Sequence, residues 1–125
     1  MSVEEEYNAP DFEEYPPLLP IGRHELTLRR IRELCVDRFP GSTARAGLME
    51  ILEGIVARLK AARVRGELWI GGSFVTEKPE PGDIDVVLRA RFTWLLGAGE
   101  EQRDAVHWFV DDLDDSERMD NYLLV

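Results

Sequence analysis

Leu68-Trp69-Ile70-Gly71-Gly72-Ser73, followed after nine residues by Asp83-Ile84-Asp85-Val86-Val87-Leu88, is the stretch that decides the fold. The first run is a short apolar strand that ends in two glycines. The second alternates, with Asp83, Asp85 and Val87 on one face and Ile84, Val86 and Leu88 on the other. Between them lies a polar loop with Pro79, Pro81 and Gly82. A strand that ends in Gly71-Gly72 lets an anion approach the backbone, because no Cβ intrudes. Backbone N–H groups and the Ser73 hydroxyl are then placed to hold phosphate oxygens. Lys78, in the spacer loop, is a candidate to steady a phosphate, beside its plainer reading as an exposed loop lysine. Asp83 and Asp85 project from one strand face with Cα atoms roughly 6–7 Å apart. Two carboxylates so close call for a cation, and Mg²⁺ favours a few carboxylates plus phosphate oxygens. Each motif alone is common turn or strand chemistry. Their order and spacing together point to nucleotide binding and to phosphoryl or nucleotidyl transfer.

Working outward toward the N-terminus, Ser42 or Thr43 caps a helix in which Leu48, Ile51, Leu52, Ile55, Leu59 and Ala62 follow the 3.6-residue period. Arg45, Glu50, Arg58, Lys60 and Arg63 fall on its solvated side. Thr27 caps an earlier helix with Leu28, Ile31, Cys35 and Phe39 on one face, and Pro40-Gly41 ends it. Cys35 reads as core filling, and a single cysteine excludes an internal disulfide or a cysteine-based zinc cluster. Toward the C-terminus, Phe92 to Leu96 predicts a helical turn before Gly97-Ala98-Gly99, and Val106 to Val110 predicts a third strand. Trp69, Trp94 and Trp108 are expected to anchor the core, with Trp94 also placed to edge a base pocket. The sum is a small α/β (α+β) domain, a short mixed sheet backed by helices.

These segments resemble the nucleotidyltransferase superfamily that includes polymerase β and the minimal nucleotidyltransferases. The shared pattern is a hydrophobic strand, Gly-Gly or Gly-Ser, a spacer of this length, and acid-hydrophobic-acid. The run from Leu19-Pro20-Ile21-Gly22-Arg23-His24 through Trp69-Ile70-Gly71-Gly72-Ser73-Phe74-Val75-Thr76 to Leu88 is similar to a bacterial branch of it. The resemblance covers residues 18–90. It implies a nucleotidyltransferase-type domain in which Gly72 and Ser73, with Gly71 beside them, hold the triphosphate of an NTP, and Asp83 and Asp85 ligate Mg²⁺. It also implies a third carboxylate on a later strand, as metal ligand and base for the incoming hydroxyl. On the predicted strand of 106–110 the first choice is Asp111, with Asp112 and Asp104 as alternatives. Many relatives also carry an extra helical domain for the acceptor, for which this chain is too short.

Charge divides the chain. Its 125 residues hold 15 Lys and Arg against 25 Asp and Glu, a formal charge of −10. Residues 1–20 hold six acids and no base, and residues 100–125 hold nine acids and two bases. The middle, 21–99, carries 13 bases against 10 acids. A generic nucleic-acid binder needs a basic surface and is disfavoured. The expected organisation is an acidic Pro-containing arm over 1–20, the domain over 21–113, and an acidic C-terminal tail over 114–125. Phe12, Tyr15, Leu18 and Leu19 of the arm are candidates to pack onto the domain or a partner. No apolar run is long enough to span a membrane, and no signal-peptide pattern opens the chain, so a cytoplasmic location is expected. Two lone histidines, His24 and His107, make a zinc site improbable. No Walker or Gly-x-Ser-x-Gly pattern occurs.

Two functions follow as expectations. One is a Mg²⁺-dependent nucleotidyltransferase that moves NMP from an NTP to a hydroxyl acceptor, with Asp83, Asp85 and Asp111 at its centre. The other is a catalytically inactive protein-binding module on the same fold, such as an acidic antitoxin or regulatory subunit. Its acidic ends would meet a protein partner, for example a toxin; relatives in the superfamily do occur as antitoxins.

Overall fold

The computed structural model describes residues 15–20, 22–113 and 119–125; for residues 112 and 119–122 that description is of the backbone. The acids of residues 1–14 and Phe12 lie outside it, as do Ile21 and the acids of residues 114–118.

Helix α1 spans Leu28–Arg32 and runs on as a wider π-helical stretch, Glu33–Asp37. The Thr27 hydroxyl accepts the Arg30 N–H at 3.1 Å, the cap expected from sequence. Helix α2 spans Arg45–Ala61, and its Leu48, Met49, Leu52, Ile55 and Leu59 are buried at helical spacing. Strand β1, Glu67–Gly71, follows, then a single 3₁₀ turn at Ser73–Val75 and strand β2, Ile84–Arg89. Two short helices come next, α3 at Phe92–Gly97 and α4 at Glu100–His107, the latter continuing as a π-helical stretch over Trp108–Asp112. Strand β3 is Met119–Leu124.

The sheet has the order β1-β2-β3, with β1 antiparallel and β3 parallel to β2. An antiparallel neighbour tolerates the spacer loop as its connection. A parallel neighbour needs a crossover of a dozen or more residues, which α3 and α4 supply. Ile84, Val86 and Leu88 are buried with α1, α2, α4 and Phe74 in one hydrophobic core. Burial of each such side chain stabilises by roughly 1.5–3 kcal/mol. Asp83, Asp85 and Val87 are half-buried, as the alternation predicts. The α+β class and the mixed sheet backed by helices are therefore present.

Three expectations are corrected. Residues 106–110 are helical. Gly99 precedes the helix, Glu100 and Glu101 favour its positive end, and Ala105, Val106 and Phe109 are buried at helical spacing. Packing of that face overrides the β propensity of Val106 to Val110. The third strand lies instead in the supposed tail, at Met119–Leu124. The end of the arm docks as its apolar residues allowed: Leu18 and Leu19 pack against the core, Pro17 bridges Thr76, the Leu18 N–H donates to Val75 O, and the Glu77 N–H donates to Pro16 O. Trp69 is only half-buried and lies beside Arg23 and Arg89, whereas Trp94 and Trp108 pack against the core.

Candidate functional site

Antiparallel pairing brings the two motifs of the deciding stretch together. The last residue of β1, Gly71, is the register partner of Asp85. Gly72 then takes φ +78°, a conformation that L side chains adopt at a cost. A Cβ built on Gly72 would sit 3.1 Å from both Cγ and Oδ2 of Asp85. The glycine is thus favoured twice, by its backbone and by the tight space beside the Asp85 carboxylate. A Cβ on Gly71 would meet only Asp85 Cβ, at an ordinary 3.9 Å. Beyond the turn, the Ser73 carbonyl accepts the Thr76 N–H at 3.1 Å and the Thr76 hydroxyl at 2.7 Å. The Ser73 hydroxyl itself makes no hydrogen bond among the described residues, at the head of the turn.

The spacer loop is fixed by a residue whose role the sequence concealed. Arg45 belongs to the solvated stripe of α2 on its periodicity, yet it is fully buried. Its guanidinium donates to Cys35 O at 2.9 Å, Phe74 O at 2.7 Å, Thr76 O at 2.6 Å and Lys78 O. Its Cζ lies 3.8 Å from the centroid of the Phe39 ring. Three of the four carbonyls belong to residues 74–78, directly after the glycine turn. Nε has no hydrogen-bond partner among the described residues. Burial pushes the Arg45 pKa down from its ordinary value, with Cys35 and Glu80 opposing that shift. Burial also raises the Cys35 thiol to about 11, in keeping with a core-filling residue.

The end of the loop is held by Glu80. Its carboxylate accepts the hydroxyls of Ser42 and Thr43 and the N–H groups of Thr43 and Ala44. Ser42, one of the two expected caps, accepts the Arg45 N–H at 3.2 Å, and Glu80 closes the rest of the helix end. These hydrogen bonds, that of Ser42 first and Thr43 next, hold the Glu80 carboxyl down to about 2. A carboxylate whose folded pKa is depressed contributes stability that is complete above its unfolded pKa and is lost as pH falls through the folded value. Glu80→Gln is therefore expected to melt below the wild type at neutral pH. The gap should close between roughly pH 4.5 and pH 2, as read by thermal melts across that range.

The third acid is where sequence and structure part. Asp111 lies on the helical stretch that continues α4, its Oδ2 3.5 Å from His107 Nε2, both side chains being mostly exposed. Asp104 is on α4 itself. Among the described residues no three His, Cys, Asp or Glu side chains gather as metal ligands. Asp112 shares the Asp111 helix, and its side chain lies outside the description. The acid beside the pair is one that sequence reasoning had placed in the tail. Asp120 on β3 is the register partner of Asp85 on β2. The signal was available in Tyr122-Leu123-Leu124-Val125, a strand-forming run after the acids. Lys78 is half-buried, with its backbone tied to Arg45 and Thr76.

The model of DUF6932, described as a family of unknown function, matches residues 10–123. The chain belongs to that family. The span that DUF6932 covers includes the glycine turn, both acids of β2, the buried Arg45 and Asp120. No curated protein and no solved structure matches the chain. No described helix is long and apolar enough to cross a membrane.

Proposed function

We propose that this protein is a Mg²⁺-dependent nucleotidyltransferase that moves NMP from an NTP to a hydroxyl acceptor. The observation that carries the reading is that the space a Cβ of Gly72 would take lies 3.1 Å from the Asp85 carboxylate, which sets the phosphate-type turn beside the paired acids. The donor set suits a divalent cation: hard carboxylate oxygens on one strand face, a glycine that keeps the approach open, and a third acid in register. Asp83 and Asp85 would hold the ion, which supplies charge neutralisation at the phosphates when bound. Backbone N–H groups of the turn and the Ser73 hydroxyl bind and orient the phosphates. Asp120 takes the role first given to Asp111: it completes the acid set and accepts the proton of the attacking hydroxyl. In such a reaction positioning and charge stabilisation supply most of the catalysis.

Calorimetry with ATP, GTP, CTP and UTP in the presence of Mg²⁺ tests this. One nucleotide is expected to bind, and Asp83→Ala/Asp85→Ala is expected to weaken it at least ~100-fold, a loss of about 2.7 kcal/mol. Asp120→Asn should spare much of the binding while it stops pyrophosphate release. Absence of nucleotide binding, or binding indifferent to the double change, sinks the proposal. The alternative is an inactive partner-binding module on the same fold, whose motivating acids, apart from those of residues 100–112 and Asp120, lie outside the described residues.

A further inference from the structure

A second site lies on the other flank of β1. Residues 17–20 and 22–26, helix α1, its π-helical extension, β1 and Val75 line an open cleft of about 680 Å³. Leu18, Ile31, Leu34, Leu68, Ile70 and Val75 give it an apolar lining, while Arg23, His24, Glu25, Glu67 and Trp69 stand around it. Its volume is that of a small-molecule site, which buries an apolar body and orients it with a few polar groups.

The polar groups have a defined arrangement. The Arg23 guanidinium lies 4.8 Å from the centroid of the Trp69 ring, and that of Arg89 lies 5.4 Å from the same indole. Arg89 is within 4.0 Å of Glu67. His24 Nε2 is engaged with Pro20 O at 2.8 Å. Glu25, exposed nearby, ion-pairs with neither arginine. Arg23 is exposed and has no carboxylate partner among the described residues. A guanidinium stacked on an indole is held in place and partly desolvated, while the N–H donors at its edge remain available to an oxyanion. A cation fixed at the mouth of an apolar cleft suits one class of ligand.

We propose that this cleft binds an amphipathic organic anion, with an aromatic or aliphatic body inside it and a carboxylate, sulfonate or phosphate group on Arg23. The site does not depend on the nucleotidyltransferase reading, since it uses none of Gly72, Asp83, Asp85 or Asp120.

A matched pair of fluorescent probes tests it on the full chain. 8-Anilinonaphthalene-1-sulfonate carries the anion; N-phenyl-1-naphthylamine is the same body without it. The sulfonate is expected to bind one per chain, more tightly than the neutral probe. Arg23→Gln should weaken the sulfonate ~10-fold, the value of a charge-assisted hydrogen bond, and leave the neutral probe unchanged. Arg23 is exposed, so the variant should keep the wild-type melting temperature, which is measured alongside. Phe92→Ser, which removes an exposed apolar side chain on α3, should leave both probes bound. The proposal is overturned if the sulfonate fails to bind or if Arg23→Gln spares it. Equal weakening of both probes by Arg23→Gln, or loss of the sulfonate on Phe92→Ser, also overturns it. Equal weakening would mean that Arg23 only pins the segment to Trp69.

Discussion

Arg45→Met is expected to lose ~4 kcal/mol of stability, a large part of the margin of a small domain. The guanidinium holds four carbonyls, of Cys35, Phe74, Thr76 and Lys78, at a fully buried position. A methionine fills a similar volume and donates nothing. Each buried carbonyl left without a donor costs roughly 1–3 kcal/mol. The Cys35 and Phe74 carbonyls are buried and those of Thr76 and Lys78 part-buried, so the first two alone cost roughly 2–6 kcal/mol, against a small-domain margin of about 5–15 kcal/mol. Arg45→Lys should recover part of the loss, since an ammonium has three donors but lacks the planar fork that reaches carbonyls on separate segments. Urea unfolding followed by circular dichroism measures both. A loss below ~1 kcal/mol for Arg45→Met would show that water satisfies those carbonyls and that the clamp is not structural.

Gly72→Ala is expected to abolish nucleotide binding, while Gly71→Ala, one residue away, retains it. At Gly72 an added methyl must adopt φ +78° and meet the Asp85 carboxylate at 3.1 Å. The backbone term costs roughly 1–2 kcal/mol. The contact then displaces a carboxylate proposed to hold the metal. At Gly71 the same methyl makes an ordinary contact at 3.9 Å, with no backbone penalty. The expected result by calorimetry is at least ~100-fold weaker binding for Gly72→Ala and less than ~5-fold for Gly71→Ala, both with Mg²⁺. Equal effects at the two positions would refute the assignment of Gly72 as the point where turn and acid meet. Urea unfolding of both variants separates a local effect from loss of the fold.

Much of the site was legible in sequence because it is local. Strand alternation fixes which side chains share a face, so the half-buried Asp83 and Asp85 and the buried Ile84, Val86 and Leu88 followed directly from their order. Two glycines at a strand end likewise announce a turn. Helix α2 and the Thr27 cap were readable for the same reason, since period and capping are set within a few residues.

What escaped was whatever depended on distant segments. Val106 to Val110 has the composition of a strand, but the core takes Ala105, Val106 and Phe109 as a helical face. Asp120 was hidden among acids because its place follows from a parallel pairing with β2, some 35 residues earlier in the chain. Arg45 has the periodicity of a solvated residue, and only the return of the 74–78 loop over α2 buries it.

The sequence by itself thus determined the chemistry available on β2 and at the end of β1, since a two-residue period and a glycine pair need no tertiary information. Tertiary structure alone decided that the Asp85 carboxylate crowds the place of a Cβ on Gly72, that Arg45 clamps the loop between them, and that Asp120 rather than Asp111 stands in register with Asp85. The physical reason is range. Backbone geometry acts over neighbouring residues, whereas strand pairing and the satisfaction of buried carbonyls are settled between segments that meet only when the core closes.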